Sequence, residues 1–245
     1  MDKLIYTAMT GAKHSMEQQA TVSHNLSNAT TTGYRAEISA FRAVPILGES
    51  PPTRTFVVDS TPGADFSPGA IQHTGRDLDV AVQGKGWIAL QLEDGSEAYT
   101  RNGSLQVSSN GILQSRNGVN VQGDGGQISI PPDNTIIIAK DGTVSVISPE
   151  QRTSSTVGRI KLVNPPEENM VRGDDGLFRL RDSGEAEADA NVTLIGGALE
   201  GSNVNVVEAM VNMITLARTF ELQMRMLHEA GVNAQQATQL LAVKT

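Results

Sequence analysis

The residues that could do chemistry are few. His14, His24, His73 and His228 are the only histidines, and there is no cysteine. His14 and Glu17 stand one helical turn apart, the spacing of half a metal site. No third ligand of fitting type follows, and a solvated helix face accounts for the pair. Asp77 and Asp79 fall on one side of a strand, and Asp174-Asp175 adjoin a turn. Either pair could act as general acid and base or take calcium, but nothing near them indicates a pocket, and aspartate commonly caps turns. Gly84-Lys85-Gly86 and Gly123-Asp124-Gly125-Gly126 lack the spacing and following helix of a phosphate loop. With no Gly-x-Ser-x-Gly elbow and no thiol, serine and cysteine nucleophiles drop out. No enzyme activity, cofactor or metal is expected, and association becomes the chemistry to explain.

The strongest pattern lies in Gly201–Thr245. Val206, Met210, Met213, Ala217, Phe220, Met224 and Leu227, then Ala234 and Leu241, recur alternately every fourth and third residue. This spacing predicts a helix with a coiled-coil-like seam, for which Ser202 and Asn203 can cap the first turn. Met210, Met213, Met224 and Met226 suit an adaptable packing surface. Such a helix is roughly 60 Å long, against a radius of gyration near 18 Å expected for a compact chain of this size. Its stripe therefore needs a partner.

Residues 3–28 predict a second helix, with Ile5, Met9, Ala12, Met16 and Leu26 on one side and Gln18, Gln19 and Ser23 interrupting the stripe. It should dissolve over Ser27-Asn28-Ala29-Thr30-Thr31-Thr32-Gly33, where a run of three threonines, poor helix formers, ends at a glycine. Two helices burying so little apolar surface cannot offset their ordering entropy alone. The termini are expected to be mobile until several subunits pack together.

Between Tyr34 and His73 stand five of the ten prolines: Pro45, Pro51, Pro52, Pro62 and Pro68. They predict an extended connector over 33–75 with one short strand, Thr55–Val58, laid on a neighbouring surface. From Leu78 the apolar period drops to two. Asp94-Gly95, Asn102-Gly103, Asn110-Gly111, Asn117-Gly118, Asp141-Gly142 and Asp175-Gly176 read as hairpin turns, so 76–200 should be an antiparallel β domain. The fold class is α+β: residues 1–32 with 201–245 as a coiled-coil-like helical domain, a connector, and a β-rich centre.

The 245 residues carry a net charge of −8 with no basic block, which argues against nucleic acid as a partner. No apolar run approaches the roughly 18 residues of a membrane span. Met1–Met9 has no apolar stretch of the kind found in a cleaved signal peptide, so export would have to use an uncleaved segment.

The motifs then spell a resemblance. Asn25-Leu26-Ser27-Asn28-Ala29-Thr30-Thr31-Thr32-Gly33-Tyr34-Arg35 resembles the N-terminal signature of bacterial flagellar rod and hook proteins. Leu78–Trp87 and Tyr99-Thr100-Arg101-Asn102-Gly103 are similar to that family's central motifs, and Gly201–Asn205 with Glu208–Ile214 to its C-terminal signature. The short length and the Met1–Met9 segment look most like the proximal-rod members. Trp87-Ile88 stands where members often have two phenylalanines, and Ala217-Arg218 where Gln-Arg is usual.

The resemblance implies a structural rod subunit with no catalysis. Its terminal helices would form an inner tube around an export channel, with the β domain outside. The implied partners are proximal and distal rod subunits, with the flagellar type III export apparatus as the route out. Asn25, Asn28, Gly33 and Tyr34 join the helix residues as expected assembly contacts. The rival reading is a β-rich carbohydrate-active enzyme or adhesin oligomerised by its helices. That reading requires a cleft with paired acids within Leu78–Leu199.

Overall fold

The computed structural model describes residues 2–45, 55–148 and 153–242. The chain divides into two compact units: Met1–Asn28, Glu37–Asp65 and Val204–Thr245 form one, and Ala29–Ala36 with Phe66–Asn203 the other.

The first unit holds helix α1 (Asp2–Ser27), strands β1 (Glu37–Pro45) and β2 (Thr55–Ala64), and helix α2 (Val206–Ala242). Neither helix is long and apolar enough to cross a membrane. Asn205, rather than Ser202 or Asn203, caps α2: its Oδ1 accepts the N–H groups of Val207 at 3.1 Å and Glu208 at 3.3 Å.

The two helices pack through small side chains. Ala8, Ala12, Ser15, Ala209 and Ala230 are buried. Ser15 Oγ donates to Gln223 Oε1 at 3.3 Å. A Cβ added at Gly11 would lie 2.9 Å from Gln223 Nε2.

The coiled-coil-like domain expected from the sequence is not present. Val206, Met210 and Met224, which should fill its seam, are 38, 50 and 47 % exposed. The covered track keeps Met213, Phe220 and Leu227 but otherwise runs one residue away, through Ala209, Leu216, Gln223 and Ala230. Alanine, serine and glycine let the backbones approach, and the bulkier valine and methionine track is left facing solvent. Ala217 and Ala234 are half-buried, and the side chain of Leu241 lies outside the described residues.

The connector is also corrected. Instead of one short strand, β1 and β2 form an antiparallel ribbon from Glu37↔Ala64 to Pro45↔Thr55. The register breaks between Ile38↔Gly63 and Ala40↔Ser60, so Thr61 and Pro62 oppose Ser39 alone. A two-stranded ribbon tolerates Pro62 in that bulge and Pro45 at a strand end, because neither must donate to a central ladder. Pro51 and Pro52 lie outside the described residues.

The second unit is the antiparallel β-rich part that the alternating pattern predicts. Its strands are β3 (Ile71–His73), β4 (Val80–Gln83), β5 (Trp87–Gln91), β6 (Glu97–Thr100), β7 (Leu105–Val107), β8 (Leu113–Ser115), β9 (Asn120–Gly123), β10 (Gly126–Gln127), β11 (Thr135–Ile138), β12 (Thr143–Ile147), β13 (Ser154–Arg159), β14 (Leu162–Val163), β15 (Met170–Arg172), β16 (Phe178–Leu180), β17 (Thr193–Gly196) and β18 (Ala198–Glu200). The main sheet runs β15-β16-β6-β5-β9-β8-β7, while β11-β12-β13, β17-β4 and β18-β3 pair separately. Val80, Val82, Ile88, Leu90, Leu105, Leu113, Val121, Val144, Ile160 and Leu194 form the heart of one apolar core.

Five of the six predicted turns share one geometry. In each the glycine N–H (Gly95, Gly111, Gly118, Gly142, Gly176) bonds back to the carbonyl three residues earlier, at 2.9–3.0 Å. Its φ lies between 78° and 85°. This is a type I turn closed by a left-handed glycine, so the positive φ falls on the glycine and not on the Asn or Asp before it. Asn102-Gly103 is the exception, because Gly103 does not take a positive φ. It is glycine for space: a Cβ there would sit 1.7 Å from the Val80 carbonyl oxygen.

Candidate assembly interface

The residues first considered for catalysis have ordinary roles. His14 Nδ1 lies 3.0 Å from Glu17 Oε2, and its ring stands edge-on to Phe41 at 5.5 Å. Asp77 is exposed, whereas Asp79 is buried and accepts from Thr74 Oγ1 at 2.8 Å and Arg76 Nη1 at 3.2 Å, so the two do not converge. Asp175 pairs with Arg179 at 2.5 Å, which holds its carboxyl below the usual range. Lys85 reaches Glu167 at 2.9 Å. Two surface grooves, about 420 and 480 Å³, are lined by residues such as Asn164, Asp182 and Asp189, and Asn110, Pro131 and Asn134. Asp77, Asp79, Asp174 and Asp175 line neither groove. Among the described residues no group of three His, Cys, Asp or Glu is placed to hold a metal ion.

Most of the exposed large apolar side chains among the described residues lie on the two helices. On α1, Tyr6, Met9 and Met16 are more than half exposed. On α2, Val207, Val211, Ile214, Leu222 and Met226 join Val206, Met210 and Met224 as exposed large apolar residues. Ile5, Leu26, Met213, Phe220 and Leu227 are half-buried, and Ala12 is buried.

The motif residues expected at assembly contacts have partners inside the chain. Asn25 clamps Glu37 through both backbone groups, donating to its carbonyl at 2.9 Å and accepting its N–H at 2.8 Å. Asn28 donates to the His24 carbonyl at 3.0 Å, closing the end of α1. Gly33, at φ +69°, would place a Cβ 2.3 Å from the Asn102 nitrogen. Tyr34 is buried beneath the Arg172 guanidinium, 4.4 Å from the ring centre.

Sequence reasoning missed a buried ionic cluster in the second unit. Glu200 Oε1 accepts from Arg35 Nη2 and its Oε2 from Arg101 Nε, both at 2.7 Å. Glu200 Oε1 also takes the Gly69 N–H at 2.8 Å. Arg101 donates onward to the carbonyls of Gly86 at 2.6 Å and Gly84 at 2.7 Å. All three charged side chains are at most 3 % exposed. Burial pulls the Arg101 guanidinium down from its ordinary value, and Glu200 opposes that pull. The available signal was that Arg35 and Arg101 both sit inside motif stretches, but nothing in the sequence marks Glu200 as their shared partner.

A second buried network joins Glu97 to Lys161 and Tyr99. Burial pushes the Tyr99 phenol from 10.0 up to about 12, and Glu97 adds to the rise against the Ala186 N–H. A folded-state pKa above the unfolded one contributes stability that is complete below pH 10 and is lost as the pH climbs to about 12. Urea titrations should show that loss, and Tyr99→Phe should flatten the profile over this window. An unchanged slope in the variant would show that Tyr99 does not titrate this way.

Three family models match the chain in order: the flagella basal body rod protein model over residues 5–35, the flagellar hook protein FlgE/F/G D1 domain over 81–146, and the flagellar basal body rod FlgEFG protein C-terminal model over 195–240. The flagellar basal-body rod protein FlgF of Escherichia coli K12 is 48 % identical, covering 99 % of this chain and 100 % of the relative. The chain belongs to the flagellar basal-body rod proteins, of the F type. FlgF of Salmonella typhimurium is 47 % identical over the same shares, and that of Buchnera aphidicola (Schizaphis graminum) 30 % over 99 % of each chain. The rod family is structural and not enzymatic. In this rod protein each matched span supplies one member of the buried cluster: Arg35 from the first, Arg101 from the second, Glu200 from the third.

Proposed function

We propose that the chain is a structural subunit of the proximal rod, and that it assembles with itself and with other proximal and distal rod subunits through its terminal helices. Support comes from one observation above all: a chain similar to rod proteins from end to end leaves many large apolar residues of α1 and α2 exposed, among them Met9, Met16, Val207 and Ile214. Apolar patches of this kind mark protein contact surfaces. Packed around an export channel, the helices would form the inner tube of a torque-transmitting shaft, with the β unit as its outer layer. The chain would pass through the flagellar type III export apparatus on an uncleaved N-terminal segment and lodge in the periplasmic rod.

The test is incorporation. The purified chain should be monomeric alone, yet appear in basal bodies isolated from a strain lacking its own copy, and restore swimming. A chain that stays outside the basal body while folding normally would contradict the reading.

A further inference from the structure

Strands β3 and β4 find their partners late in the sequence. β4 pairs with β17 (Gln83↔Thr193 to Val80↔Gly196), and β3 with β18 (His73↔Ala198 to Ile71↔Glu200). The same late segment holds the strap that follows α1. Gly33 N–H donates to the Glu200 carbonyl at 2.7 Å, and Ala36 N–H to Asn203 Oδ1 at 2.7 Å. Asn203 Nδ2 donates to the Ser67 carbonyl at 3.1 Å, and Gly201 N–H to the Ala70 carbonyl at 2.8 Å. At the centre, one Glu200 carboxylate answers two buried guanidiniums that repel each other. The Nε and Nη1 of Arg35 have no hydrogen-bond partner among the described residues. A chain lacking that carboxylate would therefore bury two cations with no counter-charge, which a folded unit avoids by staying open.

From this arrangement we infer that residues 193–203 are a closing latch for the β-rich unit, with Glu200 as its electrostatic catch. The sheet around β5, β6, β8 and β9 can form from residues 87–123. The strap 33–36 and strands β3 and β4 lock only when Glu200 arrives between Arg35 and Arg101. The unit thus cannot close ahead of the C-terminal segment, which orders its folding in any chain delivered N-terminus first. Glu200 is a positioning residue: it acts through the two arginines and the segments they hold.

Trp87, the only tryptophan, is a built-in reporter. It is 5 % exposed, with the Cζ atoms of Arg35 and Arg101 6.0 and 5.9 Å from its ring centre. The experiment compares the full chain with Glu200→Gln, measuring acrylamide quenching of Trp87 and residue-resolved hydrogen exchange. Glu200→Gln should raise the quenching constant severalfold and strip protection from Ala81–Gln83, while Ile88–Leu90 and Val121 stay protected. The double variant Arg35→Met with Glu200→Gln restores the original excess of one buried cation and should recover most of the Trp87 shielding. Glu200→Gln with unchanged quenching would overturn the latch. Loss of protection at Leu90 and Val121 together with Ala81–Gln83 would overturn it too, since the carboxylate would then support the whole unit. Failure of the double variant to recover shielding would overturn the electrostatic account.

Discussion

Chains carrying Val211→Asp together with Ile214→Asp should purify as folded protein, yet enter no basal body and support no swimming. Both positions are 56 % exposed in the free chain. Substitution there should change its stability by only about 0.5 kcal/mol, as at most surface sites. In an assembled rod the same positions would be covered, and a carboxylate buried without a partner costs several kcal/mol. The contrast with Met213→Asp or Phe220→Asp is informative. Those side chains are already half-buried in the free chain. Their replacement should lower the thermal midpoint of the purified chain as well as block assembly. Circular dichroism melts beside basal-body incorporation separate the two classes. Normal incorporation of the Val211/Ile214 variant would show that this face stays in solvent.

Gly103→Ala should unfold the β-rich unit. The added Cβ would lie 1.7 Å from the Val80 carbonyl oxygen and 2.7 Å from its carbon, both backbone atoms. Val80 N–H also donates to the Gly103 carbonyl at 3.0 Å, so the two backbones are tied where they would have to separate. Relief means pushing β4 off β17 and opening the core at Val80 and Val82. The cost is expected to exceed about 4 kcal/mol, the range of exceptional single substitutions. Gly125→Ala is the matched control: nothing lies within 4 Å of its Cβ and its φ is not positive. In urea titrations the first variant should lose the β-unit transition and the second should retain it. Equal midpoints would contradict the packing at Gly103.

Much of the fold is readable because its signals are local. Alternating apolar residues and repeated Asx-Gly turns specify antiparallel strands, and each of the five turn glycines bonds within four residues of its own position. Asn102-Gly103 has the same letters but a different task, since the Val80 strand that excludes a side chain there is distant in sequence. On α2 a spacing of four and three fits two adjacent tracks equally well, because Val206 and Met210 neighbour Val207, Ala209 and Val211. Side-chain size decides between them: Ala209 and Ala230 allow α1 to approach, so the larger residues turn outward. Glu200 was not legible at all. Its partners stand 165 and 99 residues away, and no local pattern reports such a pairing.

Asn25, Asn28, Gly33 and Tyr34 carry a related lesson. Read as a signature, they invite an intermolecular role. In the folded chain they close α1, clamp β1 and seat the strap on the β unit. Exposed apolar helical residues outside those motifs, such as Val207 and Leu222, also belong to the candidate assembly surface.

The most direct measurement is hydrogen exchange across Val206–Leu227, in the dilute free chain and in rods. An apolar helix face that other subunits cover should give weak amide protection in the free chain and strong protection once assembled. Strong protection in the free chain, unchanged on assembly, would mean that the helix already has all the partners it needs.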